Sequence, residues 1–192
     1  DRVRRLLKTR EVGHTGTLDP MATGLLVILI GQATKLSPYI MDGDKAYSVE
    51  VQLGLKTDTL DVTGKTLAEK PVEPSVKNQL QKVLDQFSGE FDWPVPIFSA
   101  VKVKGQKLYE VARASEEVKF EIPVKKMKFW NIHELQPSGD KSFWVHLECS
   151  KGSFVRTWVD QLGESLGCGA AMKSLRRTSS KPFDVAKALT LE

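Results

Sequence analysis

Cys149 and Cys168 are the only cysteines of the chain, too few and too widely separated for a zinc site. Two such thiols fit a reduced compartment, and no disulfide is expected. The three histidines include no pair spaced with another His or Cys for metal binding, so nothing points to a metal centre. Apolar runs are short, and none approaches the roughly 20 residues that a membrane span needs. The opening Asp1-Arg2-Val3-Arg4-Arg5-Leu6-Leu7-Lys8 is basic but lacks an initiator Met, a long apolar segment and a cleavage site. It reads as a chain that starts inside a helix. Repeats and low-complexity segments are absent too. Nor does one sign of charge dominate: 28 basic and 24 acidic residues leave +4, a mild bias toward a polyanionic partner.

What is present suits one soluble domain over residues 1–192, with 41% hydrophobic and 27% charged residues and enough length to bury a core without staples. Basic residues cluster at 2–10, 102–107, 125–128 and 173–181. Solvated lysines explain each cluster by itself, and only a fold could join them into a nucleic-acid surface.

The most informative stretch is Gly13-His14-Thr15-Gly16-Thr17-Leu18-Asp19-Pro20-Met21-Ala22-Thr23-Gly24. Glycines admit tight backbone on both sides of one carboxylate, and Pro20 drives Asp19 toward extended geometry. Such a loop can present Asp19 at a fixed angle, as scaffolded catalytic loops do; an Asx-Pro turn is the plain alternative.

Around it the periodicities suggest a short amphipathic helix over 2–9 and an apolar strand over 25–30 buried on both faces. A helical segment over 33–41, interrupted by Pro38, is followed by a turn at 42–44. Residues 46–53 alternate as a strand with Tyr47, Val49, Val51 and Leu53 on one face. Thr57-Asp58-Thr59-Leu60-Asp61-Val62-Thr63-Gly64 is a polar loop whose side chains can cap one another. Pro74-Ser75 opens a helix with Val76, Leu80, Val83, Leu84 and Phe87 in step, closed by Ser88-Gly89. Residues 93–105 are rigid, then basic, and lead into a helix over 106–114. Strands over 126–135 and 143–149 form a hairpin with its turn at 137–140. A further turn at 150–153 leads to a helix over 157–166, which puts Arg156 at a strand-to-helix junction. A last short helix is expected over 183–191.

The twelve residues 13–24 resemble the motif of the TruB-type tRNA pseudouridine synthases. So do Lys45-Ala46-Tyr47, the Thr-Asp-Thr-x-Asp-x-x-Gly pattern at 57–64, and the run from Ser150 to Thr157 containing Arg156. The resemblance implies an α+β fold, with a mixed, mostly antiparallel sheet flanked by helices and an active-site cleft across it. It implies isomerisation of a uridine in the tRNA T-loop (position 55) to pseudouridine by base flipping, without metal or cofactor. Asp19 is then the nucleophile, Tyr47 a wall stacking on the base and aiding proton transfer, and Arg156 the counter-charge of Asp19. His14 fills the space left by the flipped base, and Leu175 packs in the pocket. Lys102, Lys104 and Arg176 are assigned to RNA. Unaided, Tyr47 and Leu175 are ordinary core residues, His14 a loop hydrogen-bonder and Arg156 a solvated cation.

Gly105, Leu108, Tyr109, Ala112 and Arg113 match the end of the family's thumb insertion, here about 93–120, although Trp93-Pro94-Val95-Pro96 departs from the usual Gln-x-Pro-Pro. The family's first strand with its Lys-Pro-x-Gly segment is missing, and no C-terminal PUA-type domain follows, which suggests a piece of a longer protein. The expected partner is the tRNA T-arm in the cytoplasm, engaged by a monomer needing no protein subunit. Two other readings share the fold: a guide-RNA-dependent synthase subunit, and a non-catalytic tRNA-binding or chaperone module. The thumb argues against the first, and the presence of Asp19, Tyr47 and Arg156 against the second. A metal-dependent hydrolase lacks a ligand cluster.

Overall fold

The computed structural model describes residues 1–114 and 121–190. The described elements run in the order α1 (Arg2–Leu6), β1 (Val12–Thr15), β2 (Thr23–Gly24) and β3 (Val27–Ile30), then a 3-10 turn (Gly31–Leu36) and α2 (Ser37–Met41). They continue with β4 (Lys45–Leu53), β5 (Leu55–Thr57), β6 (Thr66–Glu69), α3 (Pro74–Gln86), β7 (Gly89–Pro94), β8 (Lys102–Val103), β9 (Gln106–Lys107) and α4 (Leu108–Ala114). Then come β10 (Val124–Gly139), β11 (Ser142–Cys149), α5 (Val155–Ser165), β12 (Ala170–Ser180), β13 (Phe183–Asp184) and a 3-10 turn (Val185–Lys187).

The scaffold is a seven-stranded sheet in the order β13-β12-β4-β11-β10-β7. Every neighbour in that path is antiparallel, and β2 adds to β12 in parallel, so the sheet is mixed and largely antiparallel as expected. Alternation on β4 puts Tyr47, Val49, Val51 and Leu53 on the core face. From α3 come Val76, Leu80, Val83 and Leu84, and from α5 Trp158, Val159 and Leu162, all buried against that face. Phe87 meets Trp158 edge to face at 6.0 Å, an arrangement the ring quadrupoles favour. No helix among the described residues is long and apolar enough to cross a membrane.

Several expectations need correction. The apolar run at 25–30 is not buried on both faces. Only Val27 to Ile30 is strand, paired with β1 in a separate two-stranded sheet, and Leu26 and Ile30 are exposed while Leu25, Val27 and Leu29 form a small second core. Gly13 to Thr15 is therefore strand rather than loop. Pro38 does not interrupt a helix; it sits in the first turn of α2, where its missing N–H costs nothing. The hairpin turn falls at Asp140 and Lys141, since irregularities in β10 accommodate Pro137 and Ser138 within the strand. The expected helix over 183–191 is a two-residue strand and one 3-10 turn, because Phe183 and Asp184 pair with Ser180 and Ser179. Leu191 lies outside the described residues, as does 115–120 of the thumb insertion. Trp93 and Pro94 belong to β7, with Trp93 stacked on Phe91 at 4.3 Å.

Candidate active site

Asp19 sits on the connection between β1 and β2, a turn closed by the Ala22 N–H donating to the Asp19 carbonyl at 2.9 Å. At Gly24 the backbone takes φ +92°, and a Cβ there would lie 2.2 Å from the Arg177 carbonyl oxygen. Only glycine lets β2 lie this close against β12. Leu25 N–H completes the attachment by donating to that carbonyl at 2.9 Å.

Arg156 lies in the first turn of α5 and is almost completely buried. Its Nε donates to Asp19 Oδ2 at 3.0 Å and its Nη2 to Asp19 Oδ1 at 3.1 Å, a fork-to-carboxylate pair. Two further donors are used: Nη1 reaches the Thr59 carbonyl at 3.1 Å and Nη2 the Phe98 carbonyl at 3.0 Å. One guanidinium thus joins the Asp19 loop, the polar loop after β5 and the loop after β7. The Asp19 side chain keeps a third of its surface open.

The Thr59 carbonyl is itself held in place. Asp61, buried, accepts from Thr59 Oγ1 at 2.9 Å, Thr63 N–H at 2.9 Å and Thr63 Oγ1 at 2.6 Å on one oxygen. The mutual capping expected of this loop is present, and it supports the arginine from behind.

Tyr47 stands on the core face of β4, between Leu147 of β11 and Arg177 of β12. Burial pushes its phenol up to about 12, with the Cys149 thiol acting in the same direction and the Arg177 guanidinium opposing both. Around neutral pH it is a neutral hydroxyl, a hydrogen-bond donor and acceptor on a flat apolar ring.

These groups line one cavity of about 570 Å³. Asp19, Tyr47, Arg156 and Leu175 all face it, so four of the residues singled out in the sequence converge. The other four lie outside its lining. His14 is exposed on β1, opposite Ile28; Lys102 and Lys104 are exposed at the β8–β9 hairpin. Arg176 is exposed between buried Leu175 and Arg177, hence on the opposite sheet face. Tyr109 and Arg113 of α4 also reach the cavity, with the Arg113 guanidinium 5.6 Å from the Tyr109 ring centre. Their spacing of four on a helix was the available signal. The sequence reading missed Arg177, which is 1% exposed and adjoins Tyr47 across the strands.

The cavity can accept a flat ring against Tyr47 and Leu175 and bring it to a carboxylate fixed by a permanent positive charge. Comparison with known proteins shows the family. The family model described as "TruB family pseudouridylate synthase (N terminal domain)" matches residues 4–155, and "tRNA pseudouridylate synthase B C-terminal domain" matches 156–192. A protein of Bdellovibrio bacteriovorus named tRNA pseudouridine synthase B is 50% identical over all of this chain, and one of Stutzerimonas stutzeri with the same name is 44% identical. The chain spans 61% of the length of each. In fold it is similar to a chain in the crystal structure of a Cbf5-Nop10-Gar1 complex, with a TM-score of 0.69 and 24% identity, covering 95% of this chain and 44% of that one.

Proposed function

The chain belongs to the TruB family of pseudouridylate synthases, and from that premise we propose that it forms the catalytic centre of an enzyme converting a uridine in the tRNA T-loop, position 55, to pseudouridine. The observation that carries this reading is the bidentate Arg156–Asp19 pair at the floor of a cavity walled by Tyr47 and Leu175. The reaction breaks the bond from ribose C1′ to uracil N1 and makes one from C1′ to C5. C5 gives up its hydrogen and N1 gains one, so atoms balance without an external reagent. An aspartate carboxylate can add to the ring or to the sugar and leave again, the covalent route open to a nucleophile held without a metal. Arg156 orients both of its oxygens and offsets its charge in a partly water-excluded site. Tyr47 supplies a stacking surface and a hydroxyl at the reacting ring.

A uridine within a folded RNA loop reaches this floor only by leaving its stack. In this reading exposed His14 enters the gap, and the hairpin carrying Lys102 and Lys104 approaches the phosphates. Arg176 lies on the other sheet face and is the least suited of the assigned RNA contacts. The relatives named tRNA pseudouridine synthase B support tRNA as the substrate; a monomer acting in the cytoplasm without a protein subunit completes the proposal. The test is Asp19→Asn with a T-arm hairpin and full tRNA as substrates. Pseudouridine formation is expected to vanish while RNA binding persists; undiminished turnover overturns the reading.

A further inference from the structure

Arg177 is the largest charged side chain that the fold removes from solvent, at 1% exposure. Among the described residues no carboxylate forms an ion pair with it; two backbone carbonyls accept from its guanidinium, which also acts on the Tyr47 hydroxyl. Nε donates to the Leu25 carbonyl at 2.7 Å and Nη2 to the Gly16 carbonyl at 3.1 Å. Gly16 and Leu25 are the two ends of the segment that carries Asp19. The main chain of Arg177 holds that segment as well, through its carbonyl to Leu25 N–H and through the β2–β12 pairing at Gly24. On β4, its direct neighbour across the strands is Tyr47.

We propose that Arg177 is a positioning residue for the reaction: its guanidinium clamps both ends of the Gly16-to-Leu25 segment and ties that segment to the strand bearing Tyr47, so that nucleophile and ring wall keep one relative placement. Burying an arginine is costly unless its donors are met and its charge is answered by dipoles. Two carbonyls meeting at one guanidinium are such an answer, and they cannot be supplied by a loop that moves freely. The planar fork matters more than the charge. A lysine ammonium in the same place can satisfy one carbonyl but not hold two at a fixed spacing. Arg177 is buried and lines no part of the cavity, so it is out of reach of a bound RNA and acts on the chemical step and not on the grip.

This inference rests on the function proposed above, and the experiment separates the two. Arg177→Lys and Arg177→Met are compared with wild type for single-turnover pseudouridine formation on a T-arm hairpin, RNA affinity, thermal unfolding and amide hydrogen exchange. Arg177→Lys is expected to slow the single-turnover rate about tenfold or more while RNA affinity stays within about twofold, the signature of an effect confined to the transition state. Exchange at residues 16–25 should speed up about tenfold while α3 is unchanged. Arg177→Met should lose more of the rate. If it fails to unfold cooperatively, Arg177→Lys decides alone. A rate within threefold of wild type, an RNA affinity that falls in step with the rate, or unchanged exchange at 16–25 overturns the clamp. Wild type that binds the hairpin but never isomerises it overturns the proposed function instead, and the exchange measurement still judges the clamp.

Discussion

Arg156 spends its donors on three segments, and this makes its replacement by lysine an informative test. Lysine keeps the positive charge, but one ammonium cannot reproduce the fork to Asp19 together with bonds to the Thr59 and Phe98 carbonyls. Losing two charge-assisted hydrogen bonds at about 1.5 kcal/mol each predicts that Arg156→Lys slows turnover roughly a hundredfold. RNA affinity should change little, and single-turnover kinetics beside a binding titration check both. At this scale the sequence led to groups that line the cavity and not to the one that holds their loop from behind. Asp19 stood out because glycines and a proline constrain it, and Arg156 through the motif around it. Arg177 escaped notice because two consecutive arginines look like solvated surface. On a strand, however, neighbours point to opposite faces, so an Arg-Arg pair flanked by Leu175 must send one of its members inward.

Among the elements, α5 has the tightest seat. A Cβ at Gly163 would lie 2.0 Å from the Ala170 backbone nitrogen, so the helix approaches the start of β12 as closely as only glycine allows. Gly163→Ala must push α5 away from the sheet. The overpacking is expected to cost about 3 kcal/mol, lowering the melting temperature by roughly 6–12 °C for a chain of this size. Because α5 carries Arg156, activity should fall more steeply than the folded fraction measured by circular dichroism. An unchanged melting temperature would mean that the helix can shift at no cost. Elements with a strong period were legible: α3, α5 and β4 follow their apolar spacing closely. Elements decided by partners were not. Phe183 and Asp184 are strand only because Ser179 and Ser180 lie beside them, and the hairpin turn moved to Asp140 because bulges absorbed Pro137.

For the whole molecule, the perturbed groups set a stability window in pH. Burial raises the Cys149 thiol from 9.0 to about 12, with Lys45 opposing, and raises the Tyr47 phenol from 10.0 to about 12. Both are protonated in the fold where the unfolded chain would ionise them. Their stabilisation is complete below pH 9 and is lost as pH climbs from there toward 12, by up to about 1.4 kcal/mol per group and pH unit. At the other end His146 is lowered from 6.5, first by burial and then by His133, whose ring lies 4.9 Å away. Its neutral form is favoured in the fold, so its contribution holds above 6.5 and declines as pH falls below it. Urea unfolding followed from pH 5 to 11 is expected to show a plateau between about 7 and 9 with decline on both sides. A profile flat to pH 11 would remove the buried thiol and phenol from the account.

Asp19 and Arg156 lie 137 positions apart in the chain, and the Phe98 carbonyl that shares the arginine comes from between them. No short-range event in folding can bring these groups together. Closing so long a stretch of chain costs entropy that the pair alone does not offset, so the pair depends on the sheet that brings β12 and α5 together. Any loss of that sheet therefore parts Asp19 from its arginine, and competence for chemistry belongs to the complete fold.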